Sequence, residues 1–313
     1  MMDIFEGKYI KPMLIGEMQE AFDSPDYIYE LKLDGERCVA YLDKAEGTIL
    51  RNKRNLNMLI KVPELSEIHK QVKCRCILDG ELLVIKDGKP DFSEIQRRSL
   101  MSNMFKIQLA SSKLPASFIA FDILYYKDHE LTDLPLMERK KLLEKTIIEN
   151  DRIAISRYID TRGVEYYHLT EQNQLEGIVA KRKDSKYYFD KRTKDWIKIK
   201  NLQDDDFVVC GYILKGKGVT STVLGQYLGE ELLYKGHVTL GLSTTDFQII
   251  KSTPRLNSQL FKDLPSGNDS VVWIEPILVC TVKYMMKTAS GSMRQAVFKG
   301  LRDDKSPKEC IDK

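Results

Sequence analysis

Short apolar stretches separated by polar turns and glycines recur along the whole chain. In the first two-thirds, alternating apolar and polar positions predict strands at residues 27–32, 37–41 and 48–51. The first of these runs into a turn, from which the second returns. A further pair of strands, with Asp79-Gly80 at or near its turn, is predicted within residues 76–85. Apolar residues at helical spacing predict helices at 63–72 and 136–148.

The pattern changes after residues 201–206. Short strands punctuated by glycine are predicted at residues 207–213, 223–229, 231–238 and 271–274. Several short strands of this kind are typical of a small barrel. We therefore predict an α+β domain of antiparallel sheets with helices at residues 1–203, followed by a β-barrel domain at residues 204–313.

The composition is that of a globular protein. A length of 313 residues suits about two domains, and 42% of the residues are hydrophobic and 30% charged. The first ten residues lack the apolar stretch of a signal peptide, and the longest apolar runs are too short to cross a membrane. Six scattered cysteines give neither a zinc quartet nor a redox pair. We expect a cytoplasmic monomer with reduced thiols and no membrane association.

Positive charge is concentrated near the end of the predicted first domain. The net charge is only +3, which by itself does not indicate a nucleic-acid-binding protein. Nine lysines and arginines nevertheless fall between residues 181 and 200, interleaved with Tyr187, Tyr188, Phe189 and Trp196. Because a solvated face has no need of these aromatic residues, the cluster indicates a partly buried element that faces phosphate.

The stretch ELKLDGER, residues 30–37, surrounds one lysine with acids. A lysine amine is nucleophilic only when deprotonated, and its ordinary pKa of about 10.4 keeps it charged at neutral pH. The acids beside Lys32 would favour the charged form further. We therefore expect a metal ion, or Lys198 and Lys200, to lie close to Lys32 and lower its pKa. In a strand, those two lysines would point to the same side and form a cationic face.

Seven short segments resemble, in order, the motifs of one family. They are KLDGER from Lys32, RN from Arg51, LDGEL from Leu78, AFDILY from Ala120, EGIVAK from Glu176, WIKIK from Trp196, and the stretch from Arg294 to Lys305. The family is the ATP-dependent DNA ligases of the covalent nucleotidyltransferase superfamily. The resemblance implies an ATP-grasp-like nucleotidyltransferase domain followed by an OB-fold domain, in the minimal two-domain form of bacteria or phages.

The resemblance implies a role for each residue of the nucleotide site. Lys32 would attack the α-phosphate of ATP and hold AMP, which then passes to the 5′-phosphate of a DNA nick before the 3′-hydroxyl displaces it. Glu30 would read adenine, Phe121 would stack on it, and Glu81 would accept a hydrogen bond from the ribose. The full set of nucleotide-binding residues would be Glu30, Leu31, Arg37, Glu81, Phe121 and Lys181.

Further residues would act on phosphates and metal. Lys198, Lys200 and Asp34 would join Lys32 in catalysis. The resemblance assigns the 5′-phosphate of the nick to Arg37 and Arg51, whose guanidinium groups bind phosphate well, and Mg²⁺ or Mn²⁺ to Glu176 and Glu81. In the barrel domain, four residues would orient pyrophosphate when that domain closes over the nucleotide about a hinge near residues 203–206; they are Arg294, Arg302, Asp304 and Lys305.

Other interpretations of these motifs stay open. An mRNA-capping guanylyltransferase or an RNA ligase shares the K-x-D-G core, and a nucleic-acid-binding OB protein that has lost activity would share the fold. An NAD-dependent ligase is disfavoured because its zinc-binding cysteines are missing. We expect nicked double-stranded DNA as the partner, in repair, replication or recombination. Similarity to the ligase modules of bacterial end-joining enzymes further implies a Ku-type partner protein.

Overall fold

The computed structural model describes residues 3–215, 219–285, 287 and 292–312. The chain divides between Asn201 and Leu202 into two compact units, called unit 1 and unit 2. Unit 1 has α-helices α1 (Ile4–Gly7), α2 (Phe92–Leu100), α3 (Met104–Lys113), α4 (Leu136–Thr146) and α5 (Gly163–Gln172). Its strands are β1 (Leu14–Met18), β2 (Tyr27–Leu31), β3 (Glu36–Asp43), β4 (Gly47–Asn52), β5 (Cys76–Lys86), β6 (Lys89–Pro90), β7 (Ala116–Tyr126), β8 (His129–Glu130), β9 (Ile153–Ile155), β10 (Tyr158–Asp160), β11 (Gly177–Arg182) and β12 (Arg192–Lys200).

Unit 1 is built from two sheets that pack face to face. The smaller sheet has the order β1-β12-β11-β2-β10. The larger has the order β4-β3-β5-β7-β8, with β6 paired to β5 and β9 to β7. Val39 and Phe121 of the larger sheet share one core cluster with Val179 and Trp196 of the smaller sheet. This cluster fills the space between the sheets.

Each sheet is also covered on its outer face. Leu143 of α4 joins the core on the outer side of the larger sheet, and Tyr166 of α5 packs on the outer side of the smaller one. Burial on both faces explains why residues 38–42 of β3 form an unbroken run of buried side chains.

The predicted hairpin of residues 27–32 and 37–41 is wrong in its pairing. Both strands exist, as β2 and β3, but β2 pairs with β10 and β11, whereas β3 pairs with β4 and β5. Residues 32–35 therefore carry the chain from one sheet to the other. Local alternation predicts a strand but not its partner, because pairing is decided by contacts between distant parts of the chain.

The strand pair predicted at residues 76–85 is also wrong, because β5 is one continuous strand. Asp79-Gly80 lies in its middle, where the pairing register with β7 shifts. A Cβ atom at position 80 would lie 2.5 Å from the carbonyl oxygen of Ile119. Glycine is therefore required here by the close approach of β7 at an irregular pair, not by a turn.

One of the two predicted helices is confirmed. Residues 136–148 contain α4. Residues 63–72 instead form two 3₁₀ helices, Pro63–Leu65 and Ile68–Gln71. Leu65, Ile68 and Val72 are buried in the core of the larger sheet, so the helical spacing correctly predicted which residues face inward. The backbone hydrogen bonds are those of 3₁₀ helices and not of an α-helix.

Unit 2 is a five-stranded antiparallel barrel with one helix, α6 (Thr244–Ser252). Its strands are β13 (Gln203–Lys215), β14 (Val219–Leu228), β15 (Glu231–Val238), β16 (Val272–Tyr284) and β17 (Val297–Arg302), in the order β15-β14-β13-β16-β17. The backbone N–H of Phe298 donates to the carbonyl of Leu240, 2.8 Å away, which joins β17 to the chain just after β15. The predicted barrel is confirmed, although β13 and β16, with 13 residues each, are longer than the short strands expected. Residues 203–206, expected as a hinge, are paired with β16 as the start of β13.

Two expectations from the sequence concern membrane association and the state of the cysteines. No helix in the described ranges is long and apolar enough to cross a membrane. All six cysteines are free thiols in the structure.

Candidate active site

Four charged side chains share the inner face of the larger sheet. Arg37 of β3 lies directly opposite Glu81 of β5, and Val39 lies between Asp79 of β5 and Arg51 of β4. Residues directly opposite each other in antiparallel strands point to the same side. All four charged residues therefore point to the side of the core residue Val39, toward the smaller sheet.

The side of the smaller sheet that faces the larger sheet also carries charged residues. Glu30 of β2 lies opposite Val179 of β11, which in turn lies opposite Lys198 of β12. Lys181 lies opposite Trp196. Since Val179 and Trp196 belong to the core between the sheets, the charged residues of this set face the larger sheet.

The cationic face predicted for the last strand of unit 1 is confirmed. Trp196, Lys198 and Lys200 alternate along β12 with Ile197 and Ile199. The two isoleucines pack in the core on the α5 side of the sheet. The two lysines therefore point to the side of Trp196.

A cleft of about 480 Å³, part of it open to solvent, lies between the two faces. Its lining includes Lys32 and all six residues assigned to nucleotide binding from the sequence, namely Glu30, Leu31, Arg37, Glu81, Phe121 and Lys181. The lining among the described residues does not include five other site residues predicted in unit 1, namely Asp34, Arg51, Glu176, Lys198 and Lys200.

Lys32 lies at the start of the crossing between the sheets, beside Glu176. Its Nζ is 2.7 Å from Oε1 of Glu176, and Nζ of Lys200 is 3.4 Å from the same oxygen. Burial lowers the pKa of Lys200, Glu176 opposes this, and the charge of Lys32 adds to it. The expectation that Lys200 lies close to Lys32 is confirmed, since both amines contact the same oxygen of Glu176. The direct partner of Lys32 is a carboxylate, because Glu176 stands between it and Lys200.

The carboxylate of Glu30 is buried between two lysines. Its Oε1 lies 2.5 Å from Nζ of Lys140 and 3.1 Å from Nζ of Lys181, and the three side chains are at most 3% exposed. Burial favours the neutral acid, but the lysines outweigh it and hold the pKa of Glu30 below its ordinary value. Burial lowers the pKa of Lys181 to about 8, against the attraction of Glu30.

Lys140 was missed by sequence reasoning. Lys140 lies next to Lys141 in a helix whose sequence is that of an ordinary amphipathic helix. Only the burial of Lys140 distinguishes it from the exposed Lys141. No signal in the sequence alone pairs it with Glu30.

Arg37 is held in place by Asp79. Its Nε donates to Oδ1 of Asp79 over 2.6 Å and its Nη2 to Oδ2 over 2.5 Å. The Tyr187 hydroxyl donates to the same Oδ2 over 2.5 Å. Such a two-pronged contact fixes the plane of the guanidinium. Asp79 belongs to the LDGEL motif, but its assignment to a turn concealed this role.

The ring of Phe121 is bordered by cations. The Arg37 guanidinium carbon is 4.4 Å, and Lys181 Nζ 4.3 Å, from the ring centroid. Trp196 meets the ring edge to face at 6.0 Å between centroids. A base that stacks on Phe121 would therefore take the place of one of these cations over the ring.

Glu81 is the site carboxyl with the most strongly raised pKa. Burial raises the pKa of Glu81 to about 8, against the attraction of Arg37 and Lys32. The described residues contain no group of three or more His, Cys, Asp and Glu side chains that could hold a metal ion. A metal would therefore take one or two carboxylates from the protein and its other ligands from phosphate or water, as Mg²⁺ commonly does.

Arg51 and Asp34, which do not line the cleft, are both partly exposed. Arg51 is partly exposed near the end of β4, where Nη1 donates to the Asn55 carbonyl over 3.4 Å. Its Nε is buried and has no hydrogen-bond partner in the part of the chain that the structure describes. Asp34 lies partly exposed in the crossing of residues 32–35.

In unit 2, motif residues gather around Asp206, which sequence reasoning missed. Asp206 Oδ2 accepts from Nη1 of Arg302 over 3.0 Å and from Nζ of Lys305 over 2.6 Å. Arg302 also forms a two-pronged contact with Asp304. Burial favours neutral Asp206, but these cations outweigh it and lower its pKa. Arg294 lies in the turn before β17.

Two family models match the chain. The ATP dependent DNA ligase domain matches residues 12–200, and the ATP dependent DNA ligase C terminal region matches residues 215–305. The first match by itself covers more than half of the chain.

Relatives and solved structures agree with these matches. The chain is 28% identical over 296 residues to the SPbeta prophage-derived DNA ligase-like protein LigB of Bacillus subtilis, covering 94% of this chain and 99% of that protein. It is 27% identical to the multifunctional non-homologous end joining DNA repair protein LigD of Mycobacterium tuberculosis, covering 98% of this chain but only 40% of LigD. A structure of mycobacterial DNA ligase D complexed with ATP and MES is similar with a TM-score of 0.56 and 25% identity, over 98% of this chain and 99% of that one. Because the motifs, the two-sheet cleft around Lys32 and the C-terminal barrel all agree with these matches, the chain belongs to the ATP-dependent DNA ligases, with a nucleotidyltransferase domain followed by a C-terminal domain of the OB-fold type.

Proposed function

We propose that this chain seals nicks in double-stranded DNA through an adenylate carried on Lys32. The observation that carries the proposal is the position of Lys32 in the cleft between the two sheets, with Nζ 2.7 Å from Glu176 and the six expected nucleotide-binding residues around it. Unit 1 would be the nucleotidyltransferase domain and unit 2 the OB-fold domain, with the boundary between them at residues 201–204.

In the first step, the deprotonated amine of Lys32 attacks the α-phosphorus of ATP. A phosphorus–nitrogen bond forms, the bond to the bridging oxygen of pyrophosphate breaks, and the amine proton leaves to solvent. The AMP then passes to the 5′-phosphate of the nick, and attack by the 3′-hydroxyl releases AMP and closes the strand. Phosphoryl transfer of this kind needs mainly alignment and cations around the phosphate. Lys200, 3.4 Å from the carboxylate that holds Lys32, and Lys198 on the same face of β12 supply such cations.

The adenosine would lie across the cleft. Phe121 offers the stacking surface, bordered by Arg37 and Lys181. Glu30 is already occupied by two lysines, so its backbone and that of Leu31 would contact the base more readily than its carboxylate. Glu81 would meet the ribose hydroxyl.

The residues present fit one divalent cation. Glu176 offers a carboxylate beside the amine, and Glu81 is within the electrostatic reach of Glu176. Mg²⁺ or Mn²⁺ bound there would take the remaining ligands from the phosphates and supply positive charge to them. Binding would release the amine of Lys32 from its ion pair with Glu176.

The DNA and pyrophosphate contacts extend beyond the cleft. Arg51, partly exposed on the same sheet face as Arg37, would hold the 5′-phosphate. Nε and Nη2 of Arg37 are engaged by Asp79, so Arg37 would contact ligands mainly through Nη1. Asp34 would support Lys32 from the crossing between the sheets. In unit 2, the motif residues would assist the departure of pyrophosphate, namely Arg294, Arg302, Asp304 and Lys305.

The test is to mix the protein with α-labelled ATP and Mg²⁺ and then add a singly nicked duplex. The label should move to the protein and then to the 5′ end at the nick. Lys32→Arg keeps a cation beside Glu176 but removes the nucleophile, so it should fold and take no label. Lys141→Ala, on the exposed side of α4, is the matched control and should behave as the unsubstituted chain. Labelling by GTP in place of ATP, or sealing of nicked RNA alone, would contradict the proposal.

A Ku-type protein is the partner suggested by similarity to the mycobacterial end-joining LigD. Addition of such a protein should increase joining of linear DNA ends by this chain. Unchanged end joining, together with no co-purification, would remove this part of the proposal. The cytoplasmic location and the monomeric state stay predictions from the sequence.

A further inference from the structure

Two segments close to Arg51 contain no acidic residue. Residues 51–63 and 95–121 hold eight lysines and arginines and no Asp or Glu, in a chain with 46 acids among 313 residues. At that frequency about six acids would be expected in segments of this combined length. Two stretches of unit 2, residues 207–229 and 276–302, also lack acids, but in unit 1 these two segments are the long ones without them.

The two segments lie side by side in unit 1. Lys61 Nζ donates to the carbonyl of Met101, which joins the end of the first segment to the turn after α2. Glu36 joins them again, because it accepts hydrogen bonds from the side-chain amide of Asn52, 2.9 Å away, and from the hydroxyl of Ser99. The two acid-free segments thus form one continuous surface.

Large apolar side chains are exposed on this surface. The exposed fractions are 58% for Leu56, 51% for Ile60, 80% for Leu100, 60% for Met104 and 76% for Phe105. We call these five residues the α2–α3 patch, since Leu100 ends α2 and Met104 begins α3. Soluble proteins seldom expose a group of large apolar side chains that has no binding role.

The charges around the patch favour nucleic acid as its partner. Lys53, Arg54 and Lys106 are exposed beside the apolar residues. The two segments contain no carboxylate of their own, and that of Glu36 between them is engaged by Asn52 and Ser99. Protein–protein interfaces are depleted of lysine, whereas lysines attract the phosphate backbone of DNA. Apolar side chains placed between cations also suit a minor groove, which many proteins fill with Phe, Leu, Ile or Met.

The patch adjoins the residue expected to hold the nick. Leu56 follows Arg51 by five residues, and its backbone N–H donates to the side-chain oxygen of Asn52 over 3.0 Å. This turn fixes Leu56 next to the end of β4.

We propose that the α2–α3 patch docks on duplex DNA beside the nick, with its apolar side chains in the minor groove and Lys53, Arg54 and Lys106 on phosphates. This inference rests on the proposed nick-sealing function and names the surface that the function would use. It assigns to α2 and α3 a role in binding that the nucleotide cleft does not explain.

The test uses the double variant Leu100→Ala/Phe105→Ala and a nicked duplex with a 3′-dideoxy end, which binds but cannot be sealed. Both side chains are mostly exposed, so the variant should fold and form lysyl-AMP at the rate of the unsubstituted chain. Its dissociation constant for the nicked duplex should rise about tenfold or more, since the contact area of two large side chains is lost. Leu169→Ala, on the exposed face of α5, is the matched control and should change neither quantity.

A second measurement addresses the charges. Lys106→Gln should reduce the slope of log affinity against log salt concentration by about one, as expected for one lost phosphate contact. Unchanged affinity of the double variant for the nick would overturn the inference, and that result is expected if a protein occupies the patch. Failure of the unsubstituted chain to form lysyl-AMP or to seal a nick is a different result, which would remove the proposed function itself.

Discussion

Substitution of Glu81 by glutamine should remove a pH-dependent loss of stability. Burial raises the pKa of Glu81 to about 8 from 4.5. The unfolded chain therefore releases this proton near pH 4.5, whereas the folded protein retains it until about pH 8. Because the folded state binds more protons between these values, Glu81 makes the protein less stable as the pH rises from about 4.5 to about 8. Above pH 8 the loss is complete.

The size of the effect follows from the same pKa values. At about 1.4 kcal/mol per pH unit, the largest loss is about 5 kcal/mol. Glu81 is only partly buried and lines an open cleft, so water reduces this figure. We expect the Glu81→Gln variant to gain about 2 kcal/mol over the unsubstituted chain between pH 5 and pH 8. Lys181, with a pKa of about 8, is present in both chains, so its own titration largely cancels in the difference between them.

The measurement is urea denaturation of both chains at pH 5, 6, 7 and 8 without nucleotide. The difference in unfolding free energy should be close to zero at pH 5 and grow steadily. Glu144→Gln, which changes an exposed carboxylate on α4, is the matched control and should show no such trend. A difference that stays constant over the four pH values would refute the reasoning, since it would mean that Glu81 titrates alike in both states.

Three further predictions concern groups that only the structure revealed. Lys140→Met removes one of the two buried ion pairs of Glu30, so the unfolding free energy should fall by about 3 kcal/mol; an unchanged urea midpoint would contradict the buried pair. Gly80→Ala places a Cβ 2.5 Å from a β7 carbonyl and should destabilise unit 1 by about 2 kcal/mol, measured by thermal melting. Asp206→Asn weakens the hold on Arg302, so lysyl-AMP formation should slow several-fold while sealing by pre-adenylated protein is unchanged; equal slowing of both steps would argue against a role in the first step alone.

The sequence determined the parts of this protein that depend on local order. The alternation of residues 196–200 predicted a strand with a cationic face, and the lysines of β12 do share the side of Trp196. The short strands after residue 206 predicted the barrel of unit 2. The resemblance of the motifs to those of one family predicted seven residues that line one cleft, although these residues come from distant parts of the chain. The catalytic and binding roles of these residues stay predictions.

The tertiary structure decided which strands meet and which charges are buried. β2 and β3 look like a hairpin in sequence but belong to different sheets, and this places Lys32 at the crossing between them. Lys140, on a separate helix, reaches Glu30 only when α4 packs against the sheets. The direct contact of Lys32 with Glu176 likewise joins residues far apart in the chain. The physical reason is that burial and pairing depend on contacts between distant segments, which local periodicity does not encode.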